Sequence, residues 1–244
     1  MISFIIPARN EEKYVADCIR SILDQKISLA FEIIVVDNHS SDATAKVAAG
    51  ADRLVKVVSE PDPGTNPARQ RGFQKAKGEI VVFLDADVRL PANWTRRVLK
   101  KLAAKPEIVG ISGPYHFYDF PWFLKVLTLL YHFIITVPWH FFGVRFFGLP
   151  TFMVGGNMII KKAALEKAGG FDTSLKFFGD DTDTGRRLRS VGRVIFSTRT
   201  WVYSSARRFK KRGVMRTLGS YLVNYFTLLA TREPAQKGEY EEIR

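Results

Sequence analysis

The sequence has little that could hold a fold together covalently. Cys18 is its only cysteine, so no disulfide can form within the chain, and the disulfide-rich secreted class is excluded. A reducing, cytoplasmic setting is therefore expected, with Cys18 as a small core residue. The N-terminus has no basic region and no small-residue cleavage site, so "MISFIIP" is interpreted as a buried strand and not as a signal peptide.

The sequence also lacks a long apolar run. Only 16 residues separate Pro121 from Pro138 in its most apolar segment, whereas a membrane-spanning helix needs about 20. Polar residues recur there at helical spacing: Lys125, Thr128, His132 and Thr136. A second such stripe lies in residues 214–230: Arg216, Ser220, Asn224 and Thr227. We expect both helices to lie in a membrane interface because of their aromatic density, with packing on the core as the alternative.

Acidic residues are outnumbered. The chain has 37 Lys and Arg against 24 Asp and Glu, which gives a net charge of +13, and Arg186 to Arg216 contains no acidic residue. This balance indicates a polyanionic partner, meaning nucleic acid, an anionic membrane surface or a phosphorylated substrate. Nucleic acid is not expected, because the aromatic residues cluster with aliphatic ones and form no recognisable RNA-binding module.

The first hundred residues alternate strand-like and helix-like stretches. The predicted strands are "ISFIIP", "FEIIVVD", "RLVKVV" and "EIVVFLD", and helices are predicted near 11–25, 41–49 and 67–77. This alternation is typical of an α/β fold with a mostly parallel sheet and helices on both faces. Ligands bind at the carboxyl ends of such strands, and polar clusters follow three of them, at 7–12, 37–42 and 85–87.

The stretch "FLDADV" ends a hydrophobic strand in two carboxylates, Asp85 and Asp87. Burying two neighbouring negative charges is unfavourable unless something positive lies beside them. Carboxylate oxygens suit Mg²⁺ or Mn²⁺, and such metals keep open positions for substrate phosphates. A polar turn is the alternative for this short pattern.

Other polar residues support a site at the same edge. Asp37 ends the second strand and could accept an N–H of a nucleobase, and Arg69 could pair with a diphosphate. Three carboxylates surround a predicted helix start in "GDDTDTGRRL", namely Asp180, Asp181 and Asp183. One or two of them could cap the helix, and one could act as a general base.

Taken in order, six motifs resemble the family 2 glycosyltransferases of the GT-A fold, over roughly residues 2–205. They are "IIPARNEE", "VVDNHSSD", "ARQRG", "FLDADV", "GGNMIIKKAALEKAGGFD" and "GDDTDTGRRLRSVG". Each motif is weak alone, and the ordered set is specific. The resemblance implies an α/β, Rossmann-like GT-A sheet and an inverting transfer of a sugar from a nucleoside-diphosphate sugar, such as a UDP- or GDP-sugar, with Mg²⁺ or Mn²⁺.

The resemblance also implies roles for individual residues. The nucleotide-sugar pocket would comprise Pro7, Ala8, Arg9, Glu11, Asp37, Arg69, Asp85 and Ala86. Asp87 would be the principal metal ligand, with Asp85 beside it. The wall between sugar and acceptor would be Gly155, Gly156 and Asn157. Asp181 would be the general base, although Asp180 replaces the glutamate that precedes it in the family, so that either carboxylate could act.

The basic C-terminal part departs from processive relatives. Ser205 stands where those relatives have glutamine, while Arg208-Phe209 resembles their Arg-Trp pair. We expect Arg207 and Arg208 to bind the diphosphate or an acceptor phosphate. An acceptor linked to a lipid, such as a polyprenyl phosphate, would fit a peripheral position at the inner face of the cell membrane and a role in making cell-envelope glycans.

These expectations divide the chain into four segments. Residues 1–115 would bind the nucleotide-sugar, 116–150 would be an aromatic helical insertion, 151–205 would complete the GT-A domain on the acceptor side, and 206–244 would form a basic helix and tail. The alternative function is a non-catalytic or nucleotidyltransferase-like protein that binds a nucleotide-sugar. Nucleotidyltransferases usually have an early glycine- and arginine-rich loop, which "PARNEE" does not resemble.

Overall fold

The computed structural model describes residues 1–131, 153–175 and 179–214, with isolated positions at 134, 138, 142, 216, 217, 219, 220, 223 and 227. Three members of the predicted polar stripes, His132, Thr136 and Asn224, therefore lie outside the described residues, as does the side chain of Asp180. Much of the predicted insertion and C-terminal helix lies outside them as well.

Strands and helices alternate along the chain. The strands are β1 Ile2–Ala8, β2 Phe31–Asp37, β3 Val55–Ser59, β4 Ile80–Leu84, β5 Ile108–Ser112, β6 Tyr115–Phe117, β7 Asn157–Lys161, β8 Arg193–Phe196 and β9 Val202–Ser204. The helices are α1 Val15–Leu23, α2 Thr44–Ala51, α3 Thr65–Lys75, α4 Trp94–Ala104, α5 Trp122–Tyr131, α6 Lys162–Lys167, α7 Asp180–Arg189 and α8 Arg207–Arg212, with a 3₁₀ turn at Thr198–Thr200.

Seven of these strands form one sheet in the order β3-β2-β1-β4-β7-β5-β8. Its pairings are parallel except where β7 meets β4 and β5, so β7 runs against the other six strands. The predicted mostly parallel α/β architecture is confirmed. A long connection before β7 reverses the chain, which places the start of β7 at the edge where the other strands end.

The sheet is covered on both faces because its strands alternate apolar side chains between two cores. Phe4 and Ile6 of β1 face the core of α1, α2 and α4, whereas Ile5 faces the core of α3, α6 and α7. Cys18 lies fully buried in the first core, as the sequence predicts. Strands buried on both faces explain the nearly continuous hydrophobic runs of β1, β2 and β4.

Two helices begin later than predicted. α1 begins at Val15 and not near residue 11, because the chain first bends through Asn10, whose φ is +56°. α2 begins at Thr44 and not near residue 41, where the Asp42 carboxylate accepts the Thr44 amide hydrogen bond at 2.9 Å. Both loops thereby stay at the strand ends, where their backbone faces the open edge.

A smaller layer lies beside this edge. β6 and β9 pair in parallel as a two-stranded sheet, and α5 packs on β6. Several large apolar side chains of α5 are exposed, and Trp122 is 77% exposed. In the described part of the chain, no helix has the length and apolarity needed to cross a membrane.

Candidate active site

The strand ends bring the predicted site residues to one edge of the sheet. Ala8 at the end of β1 pairs with Asp37 at the end of β2, and Leu84 at the end of β4 pairs with Asn157 at the start of β7. The loops that follow Ala8 and Leu84, and the loop that precedes Asn157, therefore open on the same edge. The rule that ligands bind beyond the carboxyl ends of parallel strands locates this edge as the candidate site.

Asp85 is held by a tyrosine and an arginine. The Tyr115 hydroxyl donates to Asp85 Oδ2 at 3.0 Å and accepts the Gly156 amide hydrogen at 2.9 Å. Arg69 Nη2 lies 3.5 Å from Asp85 Oδ1, and the Arg69 side chain is only 3% exposed. Burial, followed by the charges of Asp85 and Asp87, raises the pKa of Tyr115 well above its usual value, so the hydroxyl keeps its proton.

Gly155 and Gly156 are required by this close packing. A Cβ atom at Gly155 would lie 2.6 Å from Arg69 Nη2, and one at Gly156 would lie 2.3 Å from the Asp85 carboxyl carbon. Any side chain here would displace the arginine or the carboxylate. The loop before β7 thus forms a wall beside Asp85, and its predicted contact with sugar and acceptor stays a prediction.

Asn157 is part of the same wall, but its side chain points into the protein. It is fully buried, and its Nδ2 donates to the carbonyls of Gly113 and Thr200 at 3.1 and 2.8 Å. These bonds join β7 to the ends of β5 and of the 3₁₀ turn. In this arrangement Asn157 shapes the site through the backbone that it holds in place.

Asp87 forms a second cluster with Glu11 and Arg207. Arg207 Nε lies 3.2 Å from Asp87 Oδ2. The two terminal nitrogens of Arg207 donate to Glu11: Nη1 to Oε2 at 2.8 Å, and Nη2 to Oε1. Burial raises the pKa of Asp87 to about 7, although the charges of Arg207 and Arg208 act in the opposite direction. Burial likewise raises the pKa of Glu11 against the opposing effect of Arg207.

The start of α8 sets the position of Arg207. Asp119, between β6 and α5, accepts hydrogen bonds from the Ser205 hydroxyl at 2.9 Å and from the Ala206 amide at 2.6 Å. Lys210 on the next turn lies 3.2 Å from Asp119. The Arg207 guanidinium then lies over the Tyr14 ring, 4.7 Å from its centre. The structure thus brings Arg207 to the predicted site, with Arg208 close enough for its charge to act on Asp87.

Asp37 lies at the far side of the edge, at the end of β2. Within the described residues, no donor reaches its buried Oδ1 atom. The neighbouring β1 end supplies Pro7, Ala8 and the loop from Arg9 to Glu11, whose Asn10 and Glu11 amides donate to the hydroxyls of Ser40 and Thr44. Asp37 as a whole is only half-buried, so its carboxylate lies at the ligand-binding edge beside this ordered loop.

Two carboxylates at the start of α7, Asp181 and Asp183, have different surroundings. Asp183 is buried and forms ion pairs with Arg186 and Arg187 at 2.7 and 2.6 Å. Arg187 also donates to the carbonyls of Ala168 and Gly170, so Asp183 helps to fix α7 against the end of α6. Asp181 accepts the Thr182 amide hydrogen bond at 2.8 Å, and burial raises its pKa against the charge of Arg69.

Comparison with known proteins identifies the family. The sequence profile of glycosyl transferase family 2 matches residues 3–169, which is more than half of the chain. The chain belongs to glycosyl transferase family 2. The matched region contains all three strand-end clusters that precede β7, at 7–12, 37–42 and 85–87, together with the turn at Gly155 and Gly156.

Two curated relatives are glycosyltransferases. The chain is 31% identical over 117 residues to undecaprenyl-phosphate 4-deoxy-4-formamido-L-arabinose transferase of Pseudomonas paraeruginosa, covering 45% of this chain and 34% of that protein. It is 31% identical over 101 residues to glycosyltransferase AglE of Haloferax volcanii, and this match covers 39% of this chain and 33% of AglE. The matches thus span about a third of the length of each relative.

A solved structure shows the same fold. The mannosyltransferase PcManGT of Pyrobaculum calidifontis, in complex with GDP-Man and Mn²⁺, has a TM-score of 0.68 and 22% identity to this chain, covering 95% of it and 64% of that chain. At this identity the likeness concerns the fold. The predicted GT-A fold is confirmed by this comparison together with the sheet described above.

The residues of this glycosyl transferase family 2 chain fit a divalent metal. Mg²⁺ and Mn²⁺ accept hard oxygen ligands, and often take one or two protein carboxylates with substrate phosphates in the other positions. Asp87 and the 41% exposed Asp85 side chain offer such oxygens at the sheet edge. Within the described residues, no group of three or more His, Cys, Asp or Glu side chains is arranged to hold a metal ion.

Sequence reasoning missed Tyr115, which contacts both the Asp85 carboxylate and the Gly156 amide. The rule that located Asp85, that ligands bind beyond the carboxyl ends of parallel strands, could also have located Tyr115. β5 runs parallel to β4, so the residues after Ser112 also emerge at the ligand-binding edge. The sequence pattern does not show β5 and β7 as strands of this sheet. It therefore does not place the segment from Gly113 to Tyr115 at this edge.

Tyr115→Phe is expected to raise the KM for the donor by about tenfold or more, with a smaller change in kcat. Loss of a hydrogen bond to a charged group costs about 1.5–3 kcal/mol, and here it frees Asp85 to rotate. Steady-state release of nucleoside diphosphate measures both constants. Tyr203→Phe removes a hydroxyl from an exposed tyrosine and is the matched control. A lower unfolding stability with an unchanged donor KM would contradict this positioning role.

The raised pKa of Asp87 predicts a pH-dependent stability of the metal-free protein. Between about pH 4 and pH 7 the folded state binds the Asp87 proton more tightly than the unfolded chain does. The free energy of unfolding should therefore fall as pH rises through this window, by up to about 1.4 kcal/mol per pH unit from this group. Urea unfolding of wild type and Asp87→Asn in EDTA isolates the contribution. A difference between the two proteins that does not change with pH would contradict it.

Proposed function

We propose that this protein is an inverting glycosyltransferase that moves a sugar from a nucleoside-diphosphate sugar to an acceptor. The observation that carries the proposal is the convergence of Asp37, Arg69, Asp85 and Asp87 at one edge of the sheet, in a chain of glycosyl transferase family 2. Asp181 lies close enough to Arg69 for the two charges to interact. Together these residues would supply an acceptor for the nucleobase N–H, cations for the phosphates, ligands for the metal and a general base.

The donor would lie along the ends of β2, β1 and β4. The half-buried Asp37 carboxylate would accept an N–H group of the base, as uracil and guanine provide, beside the loop that contains Pro7, Ala8, Arg9 and Glu11. This supports a UDP- or GDP-sugar. GDP-mannose is bound in PcManGT, which shares the fold.

The leaving diphosphate needs positive charge as the glycosidic bond breaks. Mg²⁺ or Mn²⁺ held by Asp87 and Asp85 would supply Lewis-acid stabilisation of that charge. Arg69 is already buried beside Asp85, which preorganises its guanidinium for the phosphates. Arg207 and Arg208 bring further positive charge next to Asp87, and the buried Ala86 lies between the two carboxylates in the sequence.

Asp181 is proposed to take the proton of the acceptor hydroxyl as its oxygen attacks the face opposite the diphosphate. Inversion at the anomeric carbon follows from this single displacement. A raised pKa makes a carboxylate a stronger base, and burial raises that of Asp181. Asp180 begins the same helix and is the alternative base.

The acceptor is proposed to be linked to a lipid, and the protein to act peripherally at the inner face of the membrane in making cell-envelope glycans. Exposed apolar side chains on α5 and the basic α8 support contact with an anionic membrane surface. A relative is named as acting on undecaprenyl phosphate. The four-segment division at residues 115, 150 and 205 belongs to this proposal.

The test is release of nucleoside diphosphate from a panel of UDP-, GDP- and dTDP-sugars, with membrane lipid extract as the source of acceptor. Mn²⁺ or Mg²⁺ is added to one series and EDTA to the other. We expect metal-dependent turnover of one donor. Tight donor binding without turnover would instead support a non-catalytic nucleotide-sugar-binding protein, and transfer of a nucleotidyl group would support the nucleotidyltransferase-like alternative.

A further inference from the structure

A pocket of about 180 Å³ lies between the β6–β9 sheet and α5. Its lining consists of Tyr115, His116, Phe117, Tyr118, Lys125, Thr128 and Tyr203. Five of these seven side chains are aromatic when His116 is counted, namely Tyr115, His116, Phe117, Tyr118 and Tyr203. The volume is smaller than the roughly 300–1,000 Å³ of a typical small-molecule site. The pocket therefore suits one short segment of a ligand whose remainder lies elsewhere.

Several polar groups of the lining are engaged with the protein. The Thr128 hydroxyl donates to the Leu124 carbonyl at 2.8 Å, and the Lys125 ammonium donates to the Tyr118 carbonyl at 3.0 Å. The His116 imidazole stacks on Trp201 with ring centres 4.5 Å apart. Ring faces and aliphatic groups make up most of the remaining surface. A sugar would find few partners for its hydroxyls there, whereas a hydrocarbon needs none.

The pocket borders the candidate active site, because Tyr115 belongs to both. Tyr115 lines the pocket, and its hydroxyl bonds to Asp85 at 3.0 Å. Tyr118 lines the pocket too, and it lies close enough to Asp87 for that charge to act on its hydroxyl. A ligand segment in the pocket would thus have its other end beside the two carboxylates that are proposed to hold the metal.

The basic helix α8 lies beside the pocket. Asp119, which follows β6, binds the start of α8 through the Ala206 amide and Lys210. Phe209 of α8 packs on Phe117, with ring centres 5.1 Å apart. An apolar pocket flanked by a basic helix is complementary to a hydrocarbon chain with an anionic head group.

We propose that this pocket binds the first hydrocarbon segment of a lipid-linked, phosphate-bearing acceptor, with the phosphate directed towards α8. The proposal rests on the proposed function and names the part of the acceptor that this site recognises. The exposed apolar surface of α5, which includes Trp122 and Val126, would let the rest of the hydrocarbon chain remain in the membrane.

The test uses farnesyl phosphate below its micellar concentration, with inorganic phosphate as the reference ligand. Binding is measured by calorimetry on the full chain without detergent. Thr128→Phe places a ring in the pocket, and Leu127→Phe places the same ring on the neighbouring residue, which is 55% exposed. Tyr203→Ala removes part of the opposite wall and serves as the second variant if Thr128→Phe does not fold.

Farnesyl phosphate is expected to bind wild type and Leu127→Phe equally, and far more tightly than inorganic phosphate. Its Kd should rise at least about tenfold in Thr128→Phe, the scale of losing one or two buried methylene groups. Binding that is unaffected by Thr128→Phe and Tyr203→Ala would overturn the proposal, as would a Kd no lower than that of inorganic phosphate. Weaker binding in Leu127→Phe alone would place the chain on the outer face of α5.

Failure of this inference is distinguishable from failure of the proposed function. Binding and slow hydrolysis of the nucleotide-sugar are measured on the same variants without any lipid. Donor turnover with no binding of farnesyl phosphate would overturn the pocket assignment alone. Thr128-dependent binding of farnesyl phosphate without turnover of any donor would retain the pocket and contradict the transferase proposal.

Discussion

Replacing Asp87 with alanine is expected to lower metal-dependent release of nucleoside diphosphate by about 10³-fold or more. The carboxylate is buried just after the end of β4 and forms an ion pair with Arg207. One residue, Ala86, separates it from Asp85 in the sequence. Its loss removes the principal proposed metal ligand, and several kcal/mol of stabilisation of the leaving diphosphate should be lost with it. Initial rates at saturating Mn²⁺, together with calorimetric titration of Mn²⁺ in the presence of nucleoside diphosphate, measure both effects.

Asp24→Ala is the matched control for this variant. Asp24 is an exposed carboxylate at the end of α1, and α1 runs away from the strand ends that form the site. It should leave both turnover and metal affinity unchanged. If Asp87→Ala binds Mn²⁺ as tightly as the wild type does, the assignment of Asp87 as a metal ligand is wrong, whatever happens to the rate.

Asp181→Asn is expected to lower kcat by about 10²–10⁴-fold while the KM for the donor changes little. The amide keeps the shape of the side chain and cannot accept the proton of an acceptor hydroxyl. Arg69 would lose the electrostatic interaction that it has with Asp181 but would keep its contact with Asp85, so donor binding should persist. Single-turnover transfer with saturating donor separates the chemical step from product release.

The neighbouring carboxylate Asp183 provides a contrast. Asp183→Asn weakens the ion pairs with Arg186 and Arg187 and should reduce stability more than it reduces kcat. Turnover retained in Asp181→Asn would refute the general-base role. It would then indicate Asp180 as the base, or an acceptor phosphate, whose oxygen is already ionised and needs no base.

Each of the paired carboxylates in "FLDADV" is stabilised by a different arginine. Asp85 has Arg69 and the Tyr115 hydroxyl, and Asp87 has Arg207. A buried carboxylate without such partners would cost several kcal/mol. Arg69 comes from α3, and Arg207 from α8 near the other end of the chain. The requirement for positive charge could be read from the sequence, whereas the identity of its source could not.

Local pattern was enough for the first half of the fold. β1, β2, β3 and β4 lie within one or two residues of the predicted strands, because short apolar runs between turn residues are a strong signal. The starts of α1 and α2 were less predictable. Hydrogen bonds that join residues about 30 positions apart, such as Glu11 to Thr44, hold the loops before them out of the helices.

By itself, the amino-acid sequence determined the layered α/β class, the edge of the sheet where ligands bind, and the carboxylates Asp37, Asp85 and Asp87 at that edge. Those features depend on neighbours along the chain, since a strand end and its loop are local. Only the tertiary structure decided that Tyr115 bonds Asp85, that Arg207 bridges Glu11 and Asp87, and that Asn157 faces inward. Each depends on segments that are distant in sequence and meet because β7 runs against the sheet and α8 folds back over its edge.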